Sequence, residues 1–147
     1  MNKIMVLVES PGRINMIGEH IDYNGGVVMP ASINKKLLIE IKSSTSEYSI
    51  IKSKLFNESI KVDLKKFKRS EVSWHNFILG VLDNLINKKG FELNNFHCVI
   101  GGDLPVGAGI SSSSALICGL LKGICLINSL NLNKEDIIKI AREVEHE

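Results

Sequence analysis

Gly107, Ala108 and Gly109, followed after Ile110 by Ser111, Ser112, Ser113 and Ser114, make up the segment of this chain best suited to hold an anion. It follows an apolar run that ends at Gly101-Gly102 and leads into the apolar stretch Ala115–Ile127. A loop that opens a helix leaves several backbone N–H groups unpaired, at an end carrying about half a unit of positive charge. Phosphate is the matching ligand. Glycine lets the backbone approach that ligand and take up positive φ. The hydroxyls suit phosphate oxygens or a metal ion. No Gly-Lys-Ser/Thr follows the glycines, so the loop is not of the Walker type. The plain alternative is a glycine loop whose serines merely cap, although four exceed what one N-cap needs.

A second cluster lies near the N-terminus, where Arg13, Glu19, His20 and Asp22 crowd the polar segment between Pro11 and Gly26. Carboxylates accept hydrogen bonds from the hydroxyls of a polyol, and imidazole donates or accepts. Arg13 keeps its charge at any accessible pH and suits a developing oxyanion or phosphoryl charge. The alternative is a solvated loop with local turns about Asp22-Tyr23-Asn24-Gly25-Gly26. A polyol site and a phosphate loop in one domain point to phosphoryl transfer to a hydroxyl.

The positioning elements are legible in outline. Lys3–Glu9 reads as a strand that Pro11 and Gly12 end. Lys35–Lys42, Tyr48–Ile51, Ser59–Leu64 and Phe96–Gly101 read as further strands. Trp74, Phe77, Ile78, Val81, Leu82, Leu85 and Ile86 recur at helical spacing, with Ser73 as the expected cap and Gly90 just beyond the end. Ala115–Ile127 is apolar nearly all round and reads as a central buried helix, too short to cross a bilayer. Strands and helices mix without regular alternation, which predicts an α+β fold with a mixed β-sheet and packed helices.

Asn133 is the expected cap of a last helix, with Asp136 three residues on. At 100° per residue, Ile137, Ile138, Ile140, Ala141 and Val144 share an apolar arc, and Glu145 falls inside it. A buried carboxylate needs a partner; a frayed terminal residue would point to water instead. The periodic pattern stops at Glu147 without Gly, Pro or cap, as in an interrupted domain.

The 147 residues allow one domain with a substantial core, at 44% hydrophobic content. A net charge of +2, with no basic run interleaved with aromatics, argues against nucleic acid. Cys98, Cys118 and Cys125 are odd in number and lack CxxC spacing, which suggests reduced thiols in cytoplasm. No segment reads as a signal peptide or membrane span.

Within Pro11–Pro30, the run Gly18-Glu19-His20-Ile21-Asp22-Tyr23 resembles the first signature of the galactokinase branch of the GHMP small-molecule kinases. Leu104–Ala115 resembles that superfamily's nucleotide-binding signature, and Ser73 to Gly80 resembles the helix between the two. The resemblance spans essentially the whole chain. It implies that residues 1–147 form a GHMP kinase N-terminal domain (ribosomal S5 domain 2-like), cut short before a C-terminal domain. By resemblance, the intact enzyme transfers the γ-phosphoryl of ATP to the anomeric C1 hydroxyl of galactose, with Mg2+ as metal. Arg13 then stands beside the transferred group, and Glu19, His20 and Asp22 hold the sugar. Gly107, Ala108, Gly109, Ser111, Ser112 and Ser113 wrap the phosphates. Ser113 and Glu145 ligate Mg2+, which places the carboxylate of the apolar arc at the active site.

The resemblance also implies a cytoplasmic monomer when intact, with sugar and ATP as small-molecule partners and no nucleic acid or membrane. Its catalytic aspartate lies beyond residue 147, so the 147 residues alone are expected to have little or no activity. Ile21 stands where many galactokinases have Thr, and Ser114 where Ala is usual. A kinase for another sugar (N-acetylgalactosamine or a uronic acid) and a non-catalytic sugar- or nucleotide-binding module are the alternative readings.

Overall fold

A computed structural model describes residues 4–18, 21 and 25–146. Five strands, β1 (Met5–Ile17), β2 (Met29–Ser43), β3 (Ser49–Ser53), β4 (Glu58–Val62) and β5 (Phe96–Gly102), form one sheet in the order β1-β2-β5-β3-β4. All neighbours are antiparallel except β3 and β5, which run parallel. Three helices, α1 (Ser73–Asp83), α2 (Ser112–Ile127) and α3 (Lys134–His146), complete the α+β fold with its mixed sheet.

Side chains alternate across the sheet. Leu37, Ile39 and Ile41 of β2 line up with Phe96, Cys98 and Ile100 of β5 and Ile51 of β3 on the buried face. The central helix α2 packs there, as its apolar sequence requires. Ideal Cβ atoms on Gly119 and Gly123 would fall 2.6 Å and 2.3 Å from the Cδ1 atoms of Ile39 and Ile41. Only glycine lets α2 lie this close to β2, and that closeness fixes the height of its N-terminus above the sheet.

Several boundaries differ from expectation. Pro11 and Gly12 do not end the first strand. Pro11 pairs with Lys36 and Arg13 with Ser32, with a register shift between them. β1 is an edge strand, where a residue without an N–H is tolerated, and the bulge absorbs the irregularity. Residues 13–17, expected in a polar loop, therefore belong to β1, and β2 starts earlier than expected, at Met29.

Ser73 is the first helical residue of α1 rather than its cap; Val72 takes the N-cap position without a side-chain bond. Asn76, inside the helix, ties its first turns to the segment that precedes it. The Ser70 N–H donates to Asn76 Oδ1 (2.8 Å), and Asn76 Nδ2 donates back to the Ser70 carbonyl (2.9 Å). α1 continues as a π-helical turn over Asn84–Lys88, so its last expected residues, Leu85 and Ile86, lie outside the α-helix. Gly90 follows with φ 72°.

In α3, the Asp136 N–H donates to Asn133 Oδ1 at 2.8 Å, the expected cap. Ile140, Ala141 and Val144 are buried, but Ile138 is 64% exposed. The stripe that packs on α1 and α2 is narrower than the predicted arc, and Ile138 lies at its margin. All three cysteines are free. Among the described residues, no helix is long and apolar enough to cross a membrane.

Candidate active site

The loop from Leu104 to Ser111 joins β5 to α2, and both of its ends are pinned. At its entry the Asp103 carboxylate accepts the Lys36 N–H (3.0 Å) and the Lys35 ammonium (3.0 Å). These bonds, the backbone one first, hold the Asp103 carboxyl below the usual carboxylate range. Leu104 is buried beneath the loop. At the loop's exit the Arg13 N–H donates to the Ile110 carbonyl at 3.1 Å. A Cβ on Gly12 would fall 2.5 Å from Leu104 Cδ1 and 3.0 Å from the Ile110 oxygen. Gly12 therefore allows the loop to rest on β1, and Arg13 stands exposed beside it.

Between the pins, Gly107 and Gly109 have φ of 74° and 70°, and Ala108 between them is exposed. Ser111 has φ 60° and ψ 41°, a left-handed conformation that non-glycine residues adopt at a cost. No side chain caps the N-terminus of α2. The serines are thus not spent on capping, and the first N–H groups of α2 stay free for an anion.

Two of those serines converge on one carboxylate. Ser113 and Ser114 each donate an Oγ–H to Glu145 Oε1 at 2.7 Å, across from α2 to the last turn of α3. α3 is held there by a close approach to α1, where a Cβ on Gly80 would fall 2.9 Å from Val144 Cγ1. Glu145 itself is exposed. Each alternative for this residue holds part of the answer: the carboxylate has partners and also faces water. Serine hydroxyl and carboxylate are hard oxygen donors of the kind Mg2+ takes alongside phosphates and water. Among the described residues, no three His, Cys, Asp or Glu side chains gather as a metal set. The Cys118 thiol, one turn below Ser114, is pushed up by burial and secondarily by the Glu145 charge.

Two hollows flank this contact. A cleft of about 320 Å³ is lined by Arg69, Ser73, Asn76, Asp83 and Glu145 among others. A smaller apolar slot lies between Leu55, Phe56, Trp74, Val106 and the Ser112–Ser113 turn. Trp74 and Phe56 stack at 5.4 Å, and Trp74 Nε1 donates to Glu58 Oε2 at 2.9 Å. By helical spacing alone Trp74 is a core residue of an amphipathic helix. It is buried, but it also walls a slot that opens on the serines, which forms because the turn between β3 and β4 brings Phe56 and Glu58 against Trp74. Glu19, His20 and Asp22 lie outside the described residues.

Residues 76–147 match the GHMP kinase N-terminal domain, and residues 2–43 match the galactokinase galactose-binding signature. A mevalonate kinase shares the fold, with a TM-score of 0.82 at 23% identity over 95% of this chain and 46% of its own. The fold and the glycine-serine loop define the N-terminal domain of a GHMP kinase.

Within that class the chain is similar to galactokinases. It is 38% identical to the galactokinase of Thermosipho africanus over 94% of its residues, and 42% identical to that of Clostridium perfringens over 93%. The structure of Lactococcus lactis galactokinase complexed with galactose superposes with a TM-score of 0.86 at 30% identity, over 97% of this chain and 37% of that one. The chain spans 38% and 36% of the lengths of the two curated relatives.

Proposed function

We propose that this chain supplies the phosphate loop, the metal ligands and the sugar contacts of a kinase that phosphorylates the C1 hydroxyl of galactose with ATP. The observation that carries the reading is the Ser113–Glu145 contact at the mouth of an uncapped helix, beside a strand bearing Arg13. In this reading the phosphates of ATP lie along Gly107, Ala108, Gly109, Ser111, Ser112 and Ser113, and the base enters the slot beside Trp74. The slot supports that assignment by being apolar, walled by an indole and continuous with the serines.

Ser113 and Glu145 would hold Mg2+, whose positive charge offsets the negative charge of the phosphates. The chain's own work is positioning and charge stabilisation. Arg13 donates to oxygens of the transferred group, and its place is fixed by the bond to Ile110. Glu19, His20 and Asp22 orient the sugar so that its reacting hydroxyl faces that group. The curated relatives named above are galactokinases, which supports galactose over N-acetylgalactosamine or a uronic acid. Reduced thiols fit the cytoplasm.

Equilibrium binding tests the sugar assignment. Galactose should bind the wild-type chain, and Glu19→Ala should weaken it at least tenfold, about 1.4 kcal/mol, while leaving ATP affinity unchanged. Equal loss of both ligands would remove Glu19 from the sugar site.

A further inference from the structure

The hydroxyl of Ser114, in the first turn of α2, is engaged. It donates to Glu145 Oε1 at 2.7 Å, the same oxygen and the same distance as Ser113. We infer that Ser114 is a positioning residue that holds the Glu145 carboxylate in place when Ser113 turns to a divalent cation. The inference rests on the proposed role of Ser113 and Glu145 as metal ligands.

A serine oxygen that ligates a cation must present a lone pair to it, and its single O–H must turn away from the cation. The Ser113 bond to Glu145 is therefore lost or weakened when the metal is held. Glu145 is exposed and sits on the last described turn of α3, where a long side chain has much rotamer freedom to lose. With Ala at 114 no other hydrogen bond among the described residues would restrain that oxygen. Ser114 keeps one charge-assisted bond on Oε1 in both states, so the carboxylate is already ordered before the cation arrives. Oε2 is left free of both serines.

Mn2+ as a paramagnetic stand-in gives a direct readout. Binding of Mn2+·ADP to the 147-residue chain is followed by electron paramagnetic resonance, with metal-free ADP affinity measured in parallel by calorimetry. Ser114→Ala should weaken Mn2+·ADP about tenfold, in the range of one hydrogen bond to a charged group. It should leave metal-free ADP affinity unchanged, and Ser114→Thr should restore the wild-type value. Should the Ala variant lose its cooperative melt, Ser114→Cys, similar in shape but a weak donor, takes its place. Wild-type affinity in the Ala or Cys variant overturns the role of Ser114 and leaves the metal assignment standing. Failure of the wild-type chain to bind Mn2+·ADP overturns both.

Discussion

Arg13 and Ile110 are joined by a backbone hydrogen bond of 3.1 Å, from the N–H of an edge strand to the carbonyl of the glycine loop nearly a hundred residues later. This bond, with Gly12 packed beneath it, couples the strand that leads to the polar cluster with the loop that opens α2. In the proposed reading, sugar side and phosphate side are thus registered against each other by main chain rather than by mobile side chains.

Gly12→Ala tests that coupling. The added methyl meets buried Leu104 and the Ile110 carbonyl, and overpacking of this kind costs about 1–3 kcal/mol. A urea melt should show that loss, and ATP affinity should fall with it. An unchanged melt would mean that the loop rides clear of β1.

Ser113→Ala should separate binding from folding. The residue lies on the first turn of α2 and caps nothing, so the melt should move by less than about 1 kcal/mol, the worth of one exposed hydrogen bond. Mg2+ should then no longer increase ATP affinity in calorimetry. Undiminished Mg2+ dependence would exclude Ser113 as a ligand.

Glu58→Ala should loosen the slot. It leaves the indole N–H of Trp74 without its partner, at a cost of about 1–3 kcal/mol. Trp74 emission should shift to the red, and ATP affinity should fall without change in galactose affinity. An unaltered spectrum would show that stacking on Phe56 alone orients the ring.

The Cys98 thiol is pushed up to about 12 by burial, with a smaller contribution from Glu40. A raised acid pKa favours the folded state below the unfolded value near 9 and loses that contribution as pH climbs to 12. Stability should fall by up to about 1.4 kcal/mol per pH unit within that window, and Cys98→Ala should flatten the slope. A parallel pH profile for the variant would show that Cys98 does not titrate there.

The mixed α+β fold, the amphipathic helices and the glycine-serine loop were legible because each rests on a local pattern. Helical spacing from Trp74 and the Asn133 cap needs no knowledge of the rest of the chain. What depended on tertiary context was not legible. Pro11 stops a strand unless that strand is an edge, and only the sheet order says that it is. The slot at Trp74 exists because the turn between β3 and β4 brings Phe56 and Glu58 against the ring. The wheel could place Glu145 on a face but could not say that two serines of α2 would meet it.

Trp74 is the only tryptophan in the chain and walls the slot assigned to the base, so its fluorescence reports on the central claim directly. Titration of the wild-type chain with ATP in the presence of Mg2+ should give a saturable change in Trp74 emission, weakened when Mg2+ is withheld. A flat fluorescence titration together with no heat of binding in calorimetry would contradict the claim that this loop and slot form a nucleotide site.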